Sequence, residues 1–249
     1  MPIGIMSAMR EEIAALIEMI ETRERVVKGM RTYYRGRLWD KDVVLVFSRW
    51  GKVASATTAT HLINDFKVSE ILFTGVAGAI DPSLKIGDVV VGQEMFQHDM
   101  DASPILDRFE IPLLGKKSFS TDPRKNLLLQ TAVKKFLQQK EDFISSSKLS
   151  FFDISDPKGT VGHIASGDQF ISDSDEIVRI RTSLPGVVCV EMEGASVAQV
   201  CYEYQVPFNI VRTISDNAND NSHIDFPRFA SEVASRYAQG IIKNYFDSF

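Results

Sequence analysis

The sequence predicts an α/β fold, a three-layer α/β/α arrangement whose central sheet is mixed, largely parallel and partly barrel-like, flanked by helices. Three observations carry this. Short β-branched runs such as "IGIM" at 3–6 and "DVVLVF" at 42–47 alternate with stretches of helical periodicity, the pattern of strands joined by crossover helices. No repeat or flexible linker interrupts the alternation, so residues 1–249 read as one domain. A chain of 249 residues is also long enough to bury a sizeable core.

Taken in order, residues 3–6 are the first strand, and "EEIAALIEMI" at 11–20 is a helix with apolar residues at helical spacing from Ile13 to Ile20. Residues 30–47 read as two strands around the turn-forming "DKD", and "GKVASATTATHLINDF" as a helix whose small residues permit close packing. "EILFTGVAGAI" reads as a buried strand ending in a glycine turn, and "GDVVVGQEMFQHD" as another strand. "DPRKNLLLQTAVKKFLQQ" is an amphipathic helix with Asp122 as N-cap and Pro123 at the first helical position, where a missing N–H costs nothing. Residues 141–159 hold serine clusters and aromatics without a steady period, and are expected to be a surface insertion or a small hairpin. After them come the strand "GTVGHIASGDQFI", the capped helix "DSDEIVRIRTSL", the strand "GVVCVEME" and the helix "GASVAQVCYEYQ". A last strand, "FNIVRTISD", and a closing helix over 226–246 complete the series.

Composition narrows the function classes. With 44% hydrophobic and 24% charged residues the chain is an ordinary globular one, and a formal net charge of −5 offers no basic field for nucleic acid. A small molecule is the default ligand. Cys189 and Cys201 have no chelating spacing with each other or with the four histidines, so reduced thiols and no metal are expected. The first apolar run is too short for a signal peptide and is followed at once by Arg10, Glu11 and Glu12. No run of about eighteen apolar residues occurs, so a cytoplasmic protein without membrane association is expected.

Four strands end in polar or glycine chemistry: "IGIMSAMREE", "ILFTGVAGAI", "VVCVEMEGAS" and "NIVRTISDNAND". In open α/β sheets ligands sit beyond the carboxyl ends of strands, so these are candidate site segments. Each residue alone also has a plain structural reading. Glu193 can clamp a ligand or cap the helix beginning at Gly194; Glu12 can be functional or can favour a helix dipole; Asp216 can be a catalyst or a turn aspartate. Phe170 can be a core aromatic, and "TGVAGA" an ordinary tight turn. Glu191 would share Glu193's side of an extended strand, and two like charges there call for a donor such as Arg212 or a ligand hydroxyl. What raises these candidates together is their convergence on one sheet edge without metal ligands or a serine–histidine triad signature, which points to carboxylate acid/base chemistry.

In order and spacing, "IGIMSAMREE", "GKVASA", "TGVAGA", "SGDQFI", "VEMEGASVAQVC" and "VRTISDNAND" resemble the 5′-methylthioadenosine/S-adenosylhomocysteine nucleosidases of the purine nucleoside phosphorylase-like superfamily, over nearly the whole chain. The resemblance implies hydrolysis of the bond between adenine and a 5′-thio-substituted ribose, with no cofactor. It implies that Asp216 protonates the purine at nitrogen 7, that Glu12 takes a proton from the attacking water, and that Glu193 accepts ribose hydroxyls and steadies charge on the sugar. Met192 would lie against the ribose, Phe170 would stack on adenine and the Ile171 backbone would read its edge. Met9, Trp50 and Phe226 match positions around the sugar and its 5′ substituent; Ala77, Gly78, Ser215, Glu191 and Arg212 complete the implied substrate-side set.

Two positions depart from the family pattern. Val76 stands where some members carry a serine, so the orientation of Asp216 falls to Ser215 or backbone donors, and Trp50 is bulkier than the aliphatic residue often found at its place. The resemblance also implies a homodimer whose partner helps close the 5′ pocket, with Ile105, Phe109 and Pro112 as candidate donors. Three rivals stand beside the hydrolase. They are a phosphorylase using Arg10 and Arg49, a 6-amino-6-deoxyfutalosine nucleosidase of a menaquinone route, and a non-catalytic nucleoside-binding protein.

Overall fold

The computed structural model describes residues 1–216 and 226–249. At its centre β1 (Ile3–Ser7) pairs in parallel with β4 (Lys41–Phe47) and β5 (Ile71–Ala79), and β2 (Glu21–Lys28) and β3 (Arg31–Leu38) extend β4 as antiparallel neighbours. Beyond β5 the sheet curls. β6 (Val89–Gln97) runs parallel to β8 (Gly159–Ser166), β8 parallel to β9 (Val187–Glu191), and β10 (Phe208–Asp216) pairs with both β6 and β5. Because β9 pairs with β5 in turn, these strands close on themselves, while the two-residue β7 (Phe119–Ser120) hangs on β6. The mixed, partly barrel-like sheet expected from the sequence is therefore present.

Burial on both faces explains the apolar runs of the central strands. Val43 and Leu45 of β4 face one core with α1 (Ala14–Met19), α3 (Pro123–Gln138) and α8 (Ser235–Phe246). Val44 and Val46 face the other, with α2 (Lys52–Asn64) and α6 (Gly194–Tyr204). That period-2 division gives the three layers. α3 begins as its sequence predicts, with Asp122 Oδ1 accepting from the N–H groups of Arg124 and Lys125 at 3.0 and 2.9 Å. Asp173 likewise caps α5 (Ser174–Ser183) through the Asp175 N–H.

Three expectations are corrected and one strand is added. "TGVAGA" is no turn: β5 continues through it to Ala79, held by β10 on one side and β9 at its end. Residues 141–159 form no hairpin. They include α4 (Ser146–Phe151) on the surface, anchored by Ile144, Leu149, Phe152 and Ile154, which are buried in the α3/α8 core. β2, left unassigned by the sequence, is an exposed, highly charged strand paired with β3. The first helix is shorter than its pattern, a 3₁₀ turn over Glu11–Ile13 followed by the six residues of α1. At the C-terminus α7 (Phe226–Phe229) passes through a π-helical segment, Ala230–Ala234, into α8. Among the described residues no helix is long and apolar enough to cross a membrane, and Cys189 and Cys201 are buried free thiols.

Candidate active site

Three strand ends meet at one point. Gly78 of β5 lies opposite Asp216 of β10 and opposite Val190 of β9, and a cavity of about 480 Å³ opens there. The β5–β10 register slips between Ile214 and Asp216, a bulge that leaves Ser215 as the extra residue. Such bulges re-aim the following side chain; here Ile214 sits in the core and Asp216 lines the cavity. Ser215 Oγ lies 2.6 Å from Asp216 Oδ2 and 3.4 Å from the Ala77 carbonyl oxygen. The Asn217–Asp220 part of the "VRTISDNAND" motif lies outside the described residues.

Glu12 enters the cavity from the 3₁₀ turn after β1. Its Oε2 accepts the N–H groups of Ala8 and Met9 at 2.9 and 2.8 Å, and its Oε1 accepts the Val76 N–H at 3.0 Å. The carboxylate fits because residue 75 is glycine: a Cβ there would lie 2.7 Å from Glu12 Oε1. Burial pushes the Glu12 carboxyl above its ordinary 4.5, against the opposing pull of Arg212 and the three N–H donors.

Glu191 and Glu193 have parted company. Glu191 is turned inward, where one oxygen meets Arg212 Nη2 at 2.6 Å, both oxygens accept the Gly194 N–H, and the Ser166 hydroxyl closes the set. It is thus Glu191 that caps α6. Glu193, at the cap position itself, makes no cap bond and instead accepts the Gly51 N–H at 2.8 Å. Burial first, and then the neighbouring charge of Glu191, push the Glu193 carboxyl up to about 8.

Met9, Trp50 and Phe226 line the cavity, as do Ala77 and Gly78 of β5. Phe170, Ile171 and Met192 line it as well, and Phe170 is 48% exposed, so it is a wall residue and no core aromatic. Arg212 does not belong to the wall. It is 1% exposed and stacked 4.1 Å from the Phe73 ring centroid, so its expected substrate contact is corrected to a buried partnership with Glu191. Ile105, Phe109 and Pro112 also lie outside this wall. Ile105 is 87% exposed, whereas Phe109 is buried and belongs to an apolar cluster with Ile80 and Ile171 of its own chain. The cavity further uses Ala8, Gln169, Val190 and Pro227, each a neighbour of a residue named from sequence.

The raised Glu193 carboxyl has a consequence for stability. A carboxyl that binds its proton more tightly folded than unfolded stabilises the fold below its unfolded pKa and loses that contribution as pH rises through its folded value. The window here runs from about 4.5 to about 8. Glu193→Gln cannot ionise and can still accept from Gly51, so the unliganded variant is expected to melt with wild type at pH 4.5 and above it at pH 8.5. Thermal unfolding at both pH values checks this; equal melting at pH 8.5 would contradict a strained carboxylate.

A profile of the phosphorylase superfamily matches residues 2–247. The chain is 35% identical over 242 residues to a 5′-methylthioadenosine/S-adenosylhomocysteine nucleosidase of Staphylococcus carnosus, with 97% of each chain covered. It superimposes on the nucleosidase of that name from Neisseria meningitidis, solved in complex with methylthio-immucillin-A, with a TM-score of 0.86 and 30% identity, covering 100% and 99% of the two chains. It also superimposes on a futalosine hydrolase of Helicobacter pylori with a TM-score of 0.83 and 31% identity, covering 100% and 98%.

Proposed function

The chain belongs to the phosphorylase superfamily and, within it, to the 5′-methylthioadenosine/S-adenosylhomocysteine nucleosidases, and from that membership we propose how its cavity hydrolyses the N-glycosidic bond of those nucleosides. The observation that carries the reading is the meeting of Glu12, Glu193 and Asp216, from three separate segments, around one cavity with apolar walls. Glu12 is the base. Of its four acceptor positions three are taken by N–H groups, one on Oε1 and two on Oε2, which leaves a lone pair on Oε1 for a water proton. A raised pKa also brings its basicity nearer neutrality, as a general base requires.

As water oxygen bonds to the anomeric carbon, the bond to adenine breaks and its electron pair leaves on the purine. Asp216 delivers a proton to nitrogen 7 of that leaving group. The Ser215 hydroxyl suits both states of the acid: it can accept from a protonated Asp216 while pointing at the Ala77 carbonyl, then donate to the carboxylate. Glu193 accepts the ribose hydroxyls, whose donors stabilise its ionised form, and its charge supports the cationic sugar of the transition state. Phe170 and Met192 line the adenine and ribose ends.

Among the described residues no arginine or lysine lines the cavity to seat a phosphate. Arg10 and Arg49 do not line the cavity, and the Arg49 guanidinium donates to the Met30 carbonyl at 2.8 Å. The likeness to a futalosine hydrolase, and the 59% exposure of Trp50 at the wall, favour a second reading in which 6-amino-6-deoxyfutalosine shares the site through a different 5′ substituent. We take the chain to be a cytoplasmic homodimer serving methionine salvage; the exposed Ile105 and Leu113 support a paired surface. The test is product analysis with methylthioadenosine, S-adenosylhomocysteine and aminodeoxyfutalosine, each with and without phosphate. Free adenine without phosphate is expected from the first two; adenine released only with phosphate, alongside a sugar phosphate, would refute hydrolysis.

A further inference from the structure

A polar network beside the cavity is unused by this chemistry. Lys52, the first residue of α2, directs its ammonium to Asp99 Oδ1 at 2.6 Å and Gln97 Oε1 at 3.2 Å, while its backbone N–H donates to Asp168 Oδ1 at 2.8 Å. The Asp168 N–H returns to Asp99 Oδ2 at 3.0 Å. With side chains 18% and 23% exposed, Lys52 and Asp99 form a largely shielded pair, unlike an ordinary surface contact.

Each end of this network continues into the cavity wall. On one side the residues before Lys52 are Trp50, a wall residue, and Gly51, whose N–H holds Glu193. On the other, Phe170 and Ile171 follow Asp168. The consecutive N–H groups of Gly51 and Lys52 thus serve two carboxylates. That turn needs glycine: φ at Gly51 is +91°, and a Cβ would approach Asp168 Oδ1 to 2.9 Å.

We propose that Asp99 and Asp168 are positioning residues that, through Lys52, clamp the 49–52 turn to the 167–171 loop and so hold the Gly51 N–H on Glu193 and set Trp50 and Phe170 across the ligand. The inference rests on reading the cavity as the nucleoside site. It separates two substitutions of equal shape. Asp99 accepts from different donors on its two oxygens, so Asp99→Asn must turn its own NH₂ toward one of them. Among the described residues Asp168 accepts on one oxygen only, so Asp168→Asn keeps its bond and Asp168→Ala loses it.

The experiment measures steady-state kinetics with methylthioadenosine and acrylamide quenching of Trp50 in a Trp39→Phe background, where Trp50 is the sole tryptophan. Asp99→Asn and Asp168→Ala are expected to raise KM about ten-fold with kcat changed less than about three-fold, and to expose Trp50 to quencher, while Asp168→Asn stays near wild type. Thermal melts confirm folding, and should Asp99→Asn not fold, the two Asp168 variants carry the comparison. Wild-type KM and quenching in Asp168→Ala, or equal impairment of Asp168→Asn and Asp168→Ala, would overturn the clamp. Absence of turnover in the wild type would instead count against the functional reading, with Trp50 quenching still reporting on the clamp.

Discussion

Asp216→Asn is expected to lower kcat by about 10²–10⁴, the usual scale for a positioned general acid, while nucleoside binding stays within about three-fold of wild type. The asparagine amide has nearly the aspartate's shape. It can donate a hydrogen bond toward nitrogen 7 of the purine, so the ground state loses little, but it has no proton to give as the bond to adenine breaks. The Ser215 hydroxyl, 2.6 Å from Asp216 Oδ2, can bond either the oxygen or the NH₂ of the amide, which keeps the bulge satisfied. Steady-state kinetics with methylthioadenosine, together with calorimetric binding of a non-hydrolysable analogue, separates the two effects. A leaving group that departs readily as an anion needs no acid, so a 5-thioriboside of 4-nitrophenol should be hydrolysed with a far smaller deficit. Near-wild-type kcat on methylthioadenosine would remove Asp216 from the acid role; an equal deficit on both substrates would make its role one of shape.

The parts of the fold legible in the sequence are those with local causes. The Asp122–Pro123 start of α3 and the division of "VVLV" between two cores follow from cap chemistry and strand alternation. β2 and the "TGVAGA" segment were not legible, because an exposed charged strand and a glycine-rich strand take their conformation from partners distant in sequence. The same division runs through the site. Two glutamates two residues apart demanded a counter-charge, and Arg212 is that charge for Glu191. Which glutamate would turn inward depended on the chain leaving extended geometry at Glu193, where φ is −135° and ψ −40°. Gly51, Gly75 and Asp168 gave no sign, since they act through a backbone N–H, an empty Cβ position and a bond to a main-chain donor 116 residues away.

Glu12→Gln is expected to lower kcat by about 10²–10⁴ as well, but for a second reason beyond the loss of a base. Three N–H groups converge on the two carboxylate oxygens, and an amide offers only one acceptor atom. The less costly orientation keeps the amide oxygen on Ala8 and Met9 and turns NH₂ toward the Val76 N–H. That leaves a buried donor unpaired, at about 1–3 kcal/mol, and aims a donor where the attacking water needs an acceptor. Removing a buried charge offsets part of that cost, so the melting temperature should move little while turnover collapses. Glu12→Ala distinguishes chemistry from shape: it opens a space walled by the same three N–H groups, a seat for a small anion. Formate is therefore expected to restore part of the turnover of Glu12→Ala and none of that of Glu12→Gln, whose side chain still fills the seat. If Glu12→Gln keeps wild-type kcat, water activation belongs to another group; if formate rescues both variants equally, the anion acts elsewhere than between Met9 and Val76.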